Sequence, residues 1–131
     1  MILREPIRVD EFLSGAFDDK HGAVVVFTGV VRSQNDGREV KMIHYDAYPP
    51  LAEREIARVV AEAERAHAPC SARVAHRVGD VSAGEVSLIV VVRAPHRERA
   101  YAASQSIVDE LKRRAPIWKK EFYADGTARW L

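Results

Sequence analysis

Cysteine is almost missing from the 131-residue chain, where Cys70 stands alone. One thiol closes no internal disulfide, which fits a reducing compartment. Long apolar runs are missing as well. No stretch approaches the roughly eighteen continuous apolar residues of a membrane span. The start, MILREPIRVDEF, carries acids where a signal peptide has an apolar run. These absences predict a cytoplasmic protein with no membrane contact. Neither sign of charge is in excess: 20 Lys and Arg face 19 Asp and Glu, net +1. Binding of polyanions by overall charge is therefore not expected. No GxGxxG, GxxxxGK or GxSxG motif occurs, which argues against the common nucleotide-binding and serine hydrolase classes. There is no HExxH or CxxC either, and His76 and His96 are isolated, so no metal is expected. Cys70, beside Pro69, reads as a small packing residue rather than a nucleophile.

What is present is globular: 47% hydrophobic and 30% charged residues. The length suits one domain over residues 1–131 with a single real core. Residues 2–9 read as an edge strand, and Asp10 as the cap of a short helix over Glu11 to Phe17. Ala23 to Val31, AVVVFTGVV, predicts a buried strand, in which Gly29 marks a bulge or a close backbone approach. The polar loop Arg32 to Arg38 contains the turn pair Asp36-Gly37. Glu39 to Tyr48 predicts a strand that could pair antiparallel with the previous one, and Pro49-Pro50 stops it. Leu51 to His67 is an amphipathic helix with Leu51, Ile56, Val59, Val60 and Ala63 on one face. Ser71 to Val78 predicts a strand with Val74, His76 and Val78 on one side, Gly79 to Gly84 a turn, and Glu85 to Val92 the most buried strand. His96 to Ala115 predicts a second long helix, with Tyr101, Val108, Leu111 and Ala115 toward the core, and Pro116 ends it. Ile117 to Ala124 and Thr127 to Leu131 are late strands around an Asp125-Gly126 turn. Two long helices on one side of a mostly antiparallel or mixed sheet make an α+β fold.

The basic residues cluster late. Residues 1–92 hold 11 Lys and Arg against 14 Asp and Glu, while residues 93–121 hold 8 against 4. Arg93-Ala94-Pro95-His96-Arg97 joins the most apolar strand to a helix start, where free backbone amides attract anions. A phosphate there could be gripped by Arg97; alternatively Arg97 and Arg99 are solvated first-turn residues. Arginine at a helix N-terminus opposes the dipole, which favours a bound anion. Lys112 sits beside the apolar face of its helix. Lys119 alternates with Ile117, Glu121 and Tyr123, while Trp118, Lys120 and Phe122 take the other side of the strand. A lysine beside packed aromatics can be desolvated and act as proton carrier, nucleophile or clamp on a developing anion. Both lysines also fit an ordinary surface role. RNA binding by the basic segment is disfavoured by the near-neutral total and by the lack of a glycine-spaced aromatic motif.

Several blocks occur together in one order: Phe27-Thr28-Gly29-Val30-Val31-Arg32, Tyr45-Asp46-Ala47-Tyr48, His76-Arg77-Val78-Gly79 with Gly84-Glu85, His96-Arg97, Asp109-Glu110-Leu111-Lys112, Ala115-Pro116-Ile117-Trp118-Lys119-Lys120-Glu121 and Arg129-Trp130. In these the chain resembles the family of large, catalytic subunits of molybdopterin synthase. The resemblance implies a fold of the α/β-hammerhead type. It implies a sulfurtransferase that converts cyclic pyranopterin monophosphate into molybdopterin by adding the two dithiolene sulfurs. The implied partners are a small ubiquitin-like sulfur-carrier subunit, with a thiocarboxylate on its C-terminal Gly-Gly tail, and a second copy of the chain, giving a homodimer within a heterotetramer. By position, Lys119 matches the lysine that attacks or holds the tail. Lys112 matches a partner with a proton-transfer or electrostatic role. Arg32, His96 and Arg97 match residues of the pterin and phosphate pocket, Phe27 a wall aromatic and Arg129 a late basic residue. Some of these would reach the site from the neighbouring subunit. No metal or bound cofactor is implied. The alternative function is a non-catalytic module that grips a protein tail or a phosphorylated ligand through the same basic cluster.

Overall fold

A computed structural model describes residues 1–131. In chain order the elements are β1 (Ile2–Leu3), α1 (Val9–Phe12), β2 (Ala23–Val30), β3 (Gln34–Asn35), β4 (Arg38–Ala47), α2 (Pro49–Ala66), β5 (Ser71–Arg77), β6 (Gly79–Ser82), β7 (Val86–Ala94), α3 (Arg97–Arg114), β8 (Ile117–Tyr123) and β9 (Ala128–Trp130). The α+β expectation holds. The strands, however, form two sheets rather than one. The first has the order β1-β5-β7-β2, and the second runs β3-β4-β8-β9 with β6 also paired to β4.

Burial on both faces of β7 organises the first sheet. Leu88, Val90 and Val92 face α2 and α3, together with Val74, Ile56, Val59, Ala103, Ile107 and Leu111. Ile89 and Val91 face the opposite way, toward Leu3, Ile7, Phe12 and Leu13. A strand covered on both sides shows an unbroken apolar run instead of alternation. The helix α3 approaches this sheet closely because Ala100, Ala103 and Ser104, buried with Ile107 and Leu111, are small. Tyr101, expected in the core, is instead 63% exposed. It sits one residue, about 100° of helical turn, from Ala100 and cannot share that tight seam. In α2 the buried residues are Ala52, Ile56, Val59 and Ala63. Leu51, expected on that face, is exposed, because the buried stripe runs through Ala52, Ile56, Val59 and Ala63 and Leu51 lies about 100° to one side of Ala52; the helix also starts earlier than expected, with Pro49 and Pro50 in its first turn.

Other expectations are corrected too. The predicted pairing of the second and third strands does not form. β2 pairs antiparallel with β7, which offers it an all-apolar neighbour, and β4 pairs with β6 and β8. The Asp36-Gly37 turn closes only the small β3–β4 hairpin. Residues 79–82, expected within a turn, form β6, anchored by the fully buried Val81. The helix α1 is four residues long with Arg8, not Asp10, at its N-cap position. The bulge expected at Gly29 is present as a register shift between Gly29 and Val30.

Two ionic devices hold outlying parts. Arg114 joins the helices, with Nε donating to Glu55 at 2.9 Å and Nη1 to Glu62 at 2.5 Å. Asp18 ties the turn before β2 to the first sheet through Arg93 Nη1 at 3.1 Å. The Lys20 amide, and then the His21 ring, pull the Asp18 carboxyl down to about 2 from its ordinary 3.8. The stabilising contribution of Asp18 is therefore complete above its unfolded value and lost as pH falls from there through about 2. In urea unfolding, the stability difference between wild type and Asp18→Asn is expected to stay constant from neutral pH down to about pH 5 and to shrink below that. Ile107→Ala, which opens a cavity between α3 and β7, is expected to cost about 2–5 kcal/mol by the same measurement; a loss near zero would mean that α3 is not seated there.

Candidate active site

The two sheets meet the ends of α2 and α3 around a cavity of about 450 Å³. Its floor is the first sheet, where Phe27, Gly29, His76 and Leu88 lie on the helix-facing side. Ile56 of α2, and Leu111 and Lys112 of α3, form one wall, while Ile43, Tyr45, Ile117, Lys119 and Glu121 of the second sheet form the other. A Cβ at Gly29 would rest in ordinary contact with the Leu88 Cβ, 3.4 Å away, so Gly29 lowers the floor by one side chain.

The alternation read in β8 is what the structure shows. Ile117, Lys119 and Glu121 point into the cavity, Tyr123 is buried below them, and Trp118 is 54% exposed on the other side. Lys119 lies directly across from Tyr45 of β4. Lys112 arrives from the last turn of α3, whose C-terminal end favours a cation. Both lysines are exposed at the cavity, so it is their convergence rather than burial that sets them apart. Arg32, two residues past the end of β2, adds a third cation and donates to Asn35 Oδ1 at 3.4 Å.

One carboxylate faces these cations. Glu121 is 3% exposed. Asn35 Nδ2 donates to both of its oxygens at 2.9 Å, and the Tyr123 hydroxyl donates to Oε1 at 2.8 Å. Arg129 Nη2 stands 3.8 Å from Oε1 and is held by Asp36 at 3.1 Å. Arg129 therefore braces the carboxylate from outside the cavity lining. Sequence reasoning placed Glu121 on the Lys119 side of β8 but did not single it out; a carboxylate alternating with a core tyrosine was the available signal.

His76 and Tyr45 are further lining residues that sequence reasoning did not select. Their rings meet edge to face at 5.0 Å between centroids. Burial pushes the Tyr45 phenol up, with the Ser87 hydroxyl acting the other way. Burial pushes the His76 imidazole down, against the Arg77 carbonyl, while the charge of Lys119 acts with burial.

Of the seven residues singled out from the sequence, Phe27, Arg32, Lys112 and Lys119 line this cavity. His96 and Arg97 do not. His96 is the N-cap residue of α3 and Arg97 its first helical residue, about 22 Å from Lys112 at 1.5 Å per residue. The strand-to-helix junction is as expected, but it belongs to the opposite end of the helix. No three His, Cys, Asp or Glu side chains come together as a metal cluster, and no helix is long and apolar enough to cross a membrane.

Comparison with known proteins gives the family of the chain. Residues 2–114 match the family described as MoaE protein. A molybdopterin synthase catalytic subunit from Nostoc sp. is 41% identical over 128 residues, covering 96% of this chain and 77% of that protein. The crystal structure of molybdopterin synthase from Staphylococcus aureus superposes with a TM-score of 0.93 at 32% identity, over 99% of this chain and 94% of the other. A chain in a complex of subunits 1 and 2 of molybdopterin-converting factor from Helicobacter pylori shares the fold, with a TM-score of 0.79 at 23% identity over 98% and 87% of the two chains. With the match running from β1 to the end of α3, and Lys112, Lys119, Arg32 and Phe27 gathered in one cavity, this chain belongs to the MoaE protein family, that of the molybdopterin synthase catalytic subunits.

Proposed function

We propose that the chain moves sulfur from the thiocarboxylated Gly-Gly tail of a small ubiquitin-like subunit to cyclic pyranopterin monophosphate, forming the molybdopterin dithiolene. The observation that carries this reading is the convergence of Lys119 from β8 and Lys112 from α3 on one cavity. Each transfer forms a carbon–sulfur bond on the precursor at the expense of a carbon–oxygen bond there, and water then cleaves the carbon–sulfur bond of the tail, leaving a carboxylate. Thiocarboxylate, phosphate and the growing thiolate are all anions, and preorganised cations stabilise such charge as it develops. Lys119 is assigned to the tail carbonyl and sulfur, Lys112 to electrostatic support and proton transfer, and Arg32 to the precursor's phosphate. Phe27 walls the heterocycle. The sole cysteine, Cys70, lies outside the cavity, with its thiol toward the Ala63 carbonyl. Sulfur delivered by a partner makes a protein thiol unnecessary.

His96 and Arg97 enter this reading through a second copy of the chain. At the far end of α3 they are out of reach of their own cavity, whereas in a homodimer they could complete the partner's. The Helicobacter pylori chain of the same fold is found with a second kind of subunit, which is consistent with a heterotetramer here. The other reading, a module that only binds a tail or a phosphorylated ligand, uses the same cations without turnover.

Lys119→Ala separates the two. It is expected to lower molybdopterin formation by about 100-fold or more while leaving small-subunit affinity within about threefold, as isothermal titration would show. Unchanged turnover would refute the catalytic assignment. Dimer completion is tested by co-expressing Lys119→Ala with Arg97→Ala: mixed dimers retain one intact site and are expected to recover activity that neither variant shows alone.

A further inference from the structure

The cavity is rich in donors and cations, and its side-chain acceptors are almost all occupied. Glu121 spends both oxygens on Asn35, and one of them also on Tyr123. Asn35 Oδ1 accepts from Arg32. The Ser87 hydroxyl donates to the Gly29 carbonyl and neighbours the Tyr45 phenol. His76 differs. Its Nδ1 lies 2.8 Å from the Arg77 carbonyl oxygen, which can only accept, so Nδ1 carries the hydrogen and Nε2 of the neutral ring has a free lone pair. Nε2 has no protein partner, and it is not among the sealed-off polar atoms, of which Arg77 Nε is the only one.

The ring is also fixed. The His76 backbone amide donates to the Met1 carbonyl at 2.9 Å, and Leu88 of β7 lies across from it. The Tyr45 ring closes one side at 5.0 Å. The charged and titratable groups around it are Lys119 from β8, the N-terminal ammonium before β1, Tyr45 from β4 and its own neighbour Arg77. Burial first, and then the two ammonium charges, favour the neutral form. In that form the ring brings no further positive charge beside Lys119 and keeps its acceptor available.

We propose that His76 orients the substrate: its Nε2 accepts a hydrogen bond from a ring N–H or amino group of the bound heterocycle and so sets the reacting carbons against Lys119. This rests on the reading of the cavity as the sulfur-transfer site and adds to it the group that recognises the heterocycle rather than the phosphate. Apolar Leu88 beside His76, and Phe27 farther along the same floor, suit the flat faces of such a ring. A pterin-type ring carries several N–H donors, and a donor buried without an acceptor is costly.

The test uses the full chain in complex with its thiocarboxylated small subunit and the cyclic pyranopterin monophosphate precursor. His76→Phe is expected to raise the precursor Kd about tenfold or more with small-subunit affinity unchanged. His76→Gln, whose amide oxygen can take the place of Nε2, is expected to bind within about threefold of wild type. Independently of any variant, the 15N resonance of His76 Nε2 in wild-type protein is expected to move upfield when precursor is added, while Nδ1 stays protonated. Precursor that binds and turns over with an unmoved Nε2 resonance, or equally well in His76→Phe, overturns the assignment and leaves the sulfur-transfer reading intact. A wild-type complex that neither binds precursor nor makes product overturns both.

Discussion

The seating of α3 on the first sheet is the constraint on which the cavity depends. Ala100, Ala103, Ile107 and Leu111 pack against β7 and β2. That contact fixes the axis of the helix, and the axis carries its last turn out to the second sheet. Lys112 is delivered to the cavity by this turn, one residue past the buried Leu111. Arg114, two residues further on, is clamped by Glu55 and Glu62 of α2, so the helix end is held from both sides. The position of Lys112 thus rests on hydrophobic burial that runs along α3 from Ala100 to Leu111.

The second requirement is electrostatic. Three cations gathered around one cavity repel each other, and a buried carboxylate among them offsets part of that cost. Glu121 does so only because its own burial is compensated by Asn35, Tyr123 and the guanidinium of Arg129. With its oxygens engaged, Glu121 balances charge without competing for the ligand. The proposed division gives Lys112, Lys119 and Arg32 to anions, apolar Phe27 and Leu88 to flat surface, and His76 to a donor.

Local pattern carried much of this. The period-two alternation of β8 placed Lys119 and Glu121 on one side and Trp118 on the other, as the structure has them. The helical phase of α3 put Lys112 beside the apolar face. The unbroken run of β7 announced a strand with no exposed face. What failed was long-range. Nothing in AVVVFTGVV says whether its partner is the next strand or a much later one, and β2 in fact pairs with β7, Val30 with Val86 and Ala23 with Ala94. The short β6 was hidden because a four-residue strand that begins on Gly79 and is soon followed by Gly84 has the composition of a turn. Tyr101 was misplaced because its apolar ring outweighed the small alanines that make the real seam. His76 lay in view on the Val74 side of β5, but only the cavity in front of it gives a lone histidine a task.

On the proposed function, this chain carries a partner's sulfur to a pterin through the Lys112–Lys119 cavity. The most direct measurement is to load the small subunit's C-terminal thiocarboxylate with 35S, mix it with this chain and cyclic pyranopterin monophosphate, and follow the label. The account predicts that 35S leaves the tail and appears in the dithiolene of molybdopterin only when this chain is present. Label that stays on the tail while the two subunits and the precursor are all bound would contradict it.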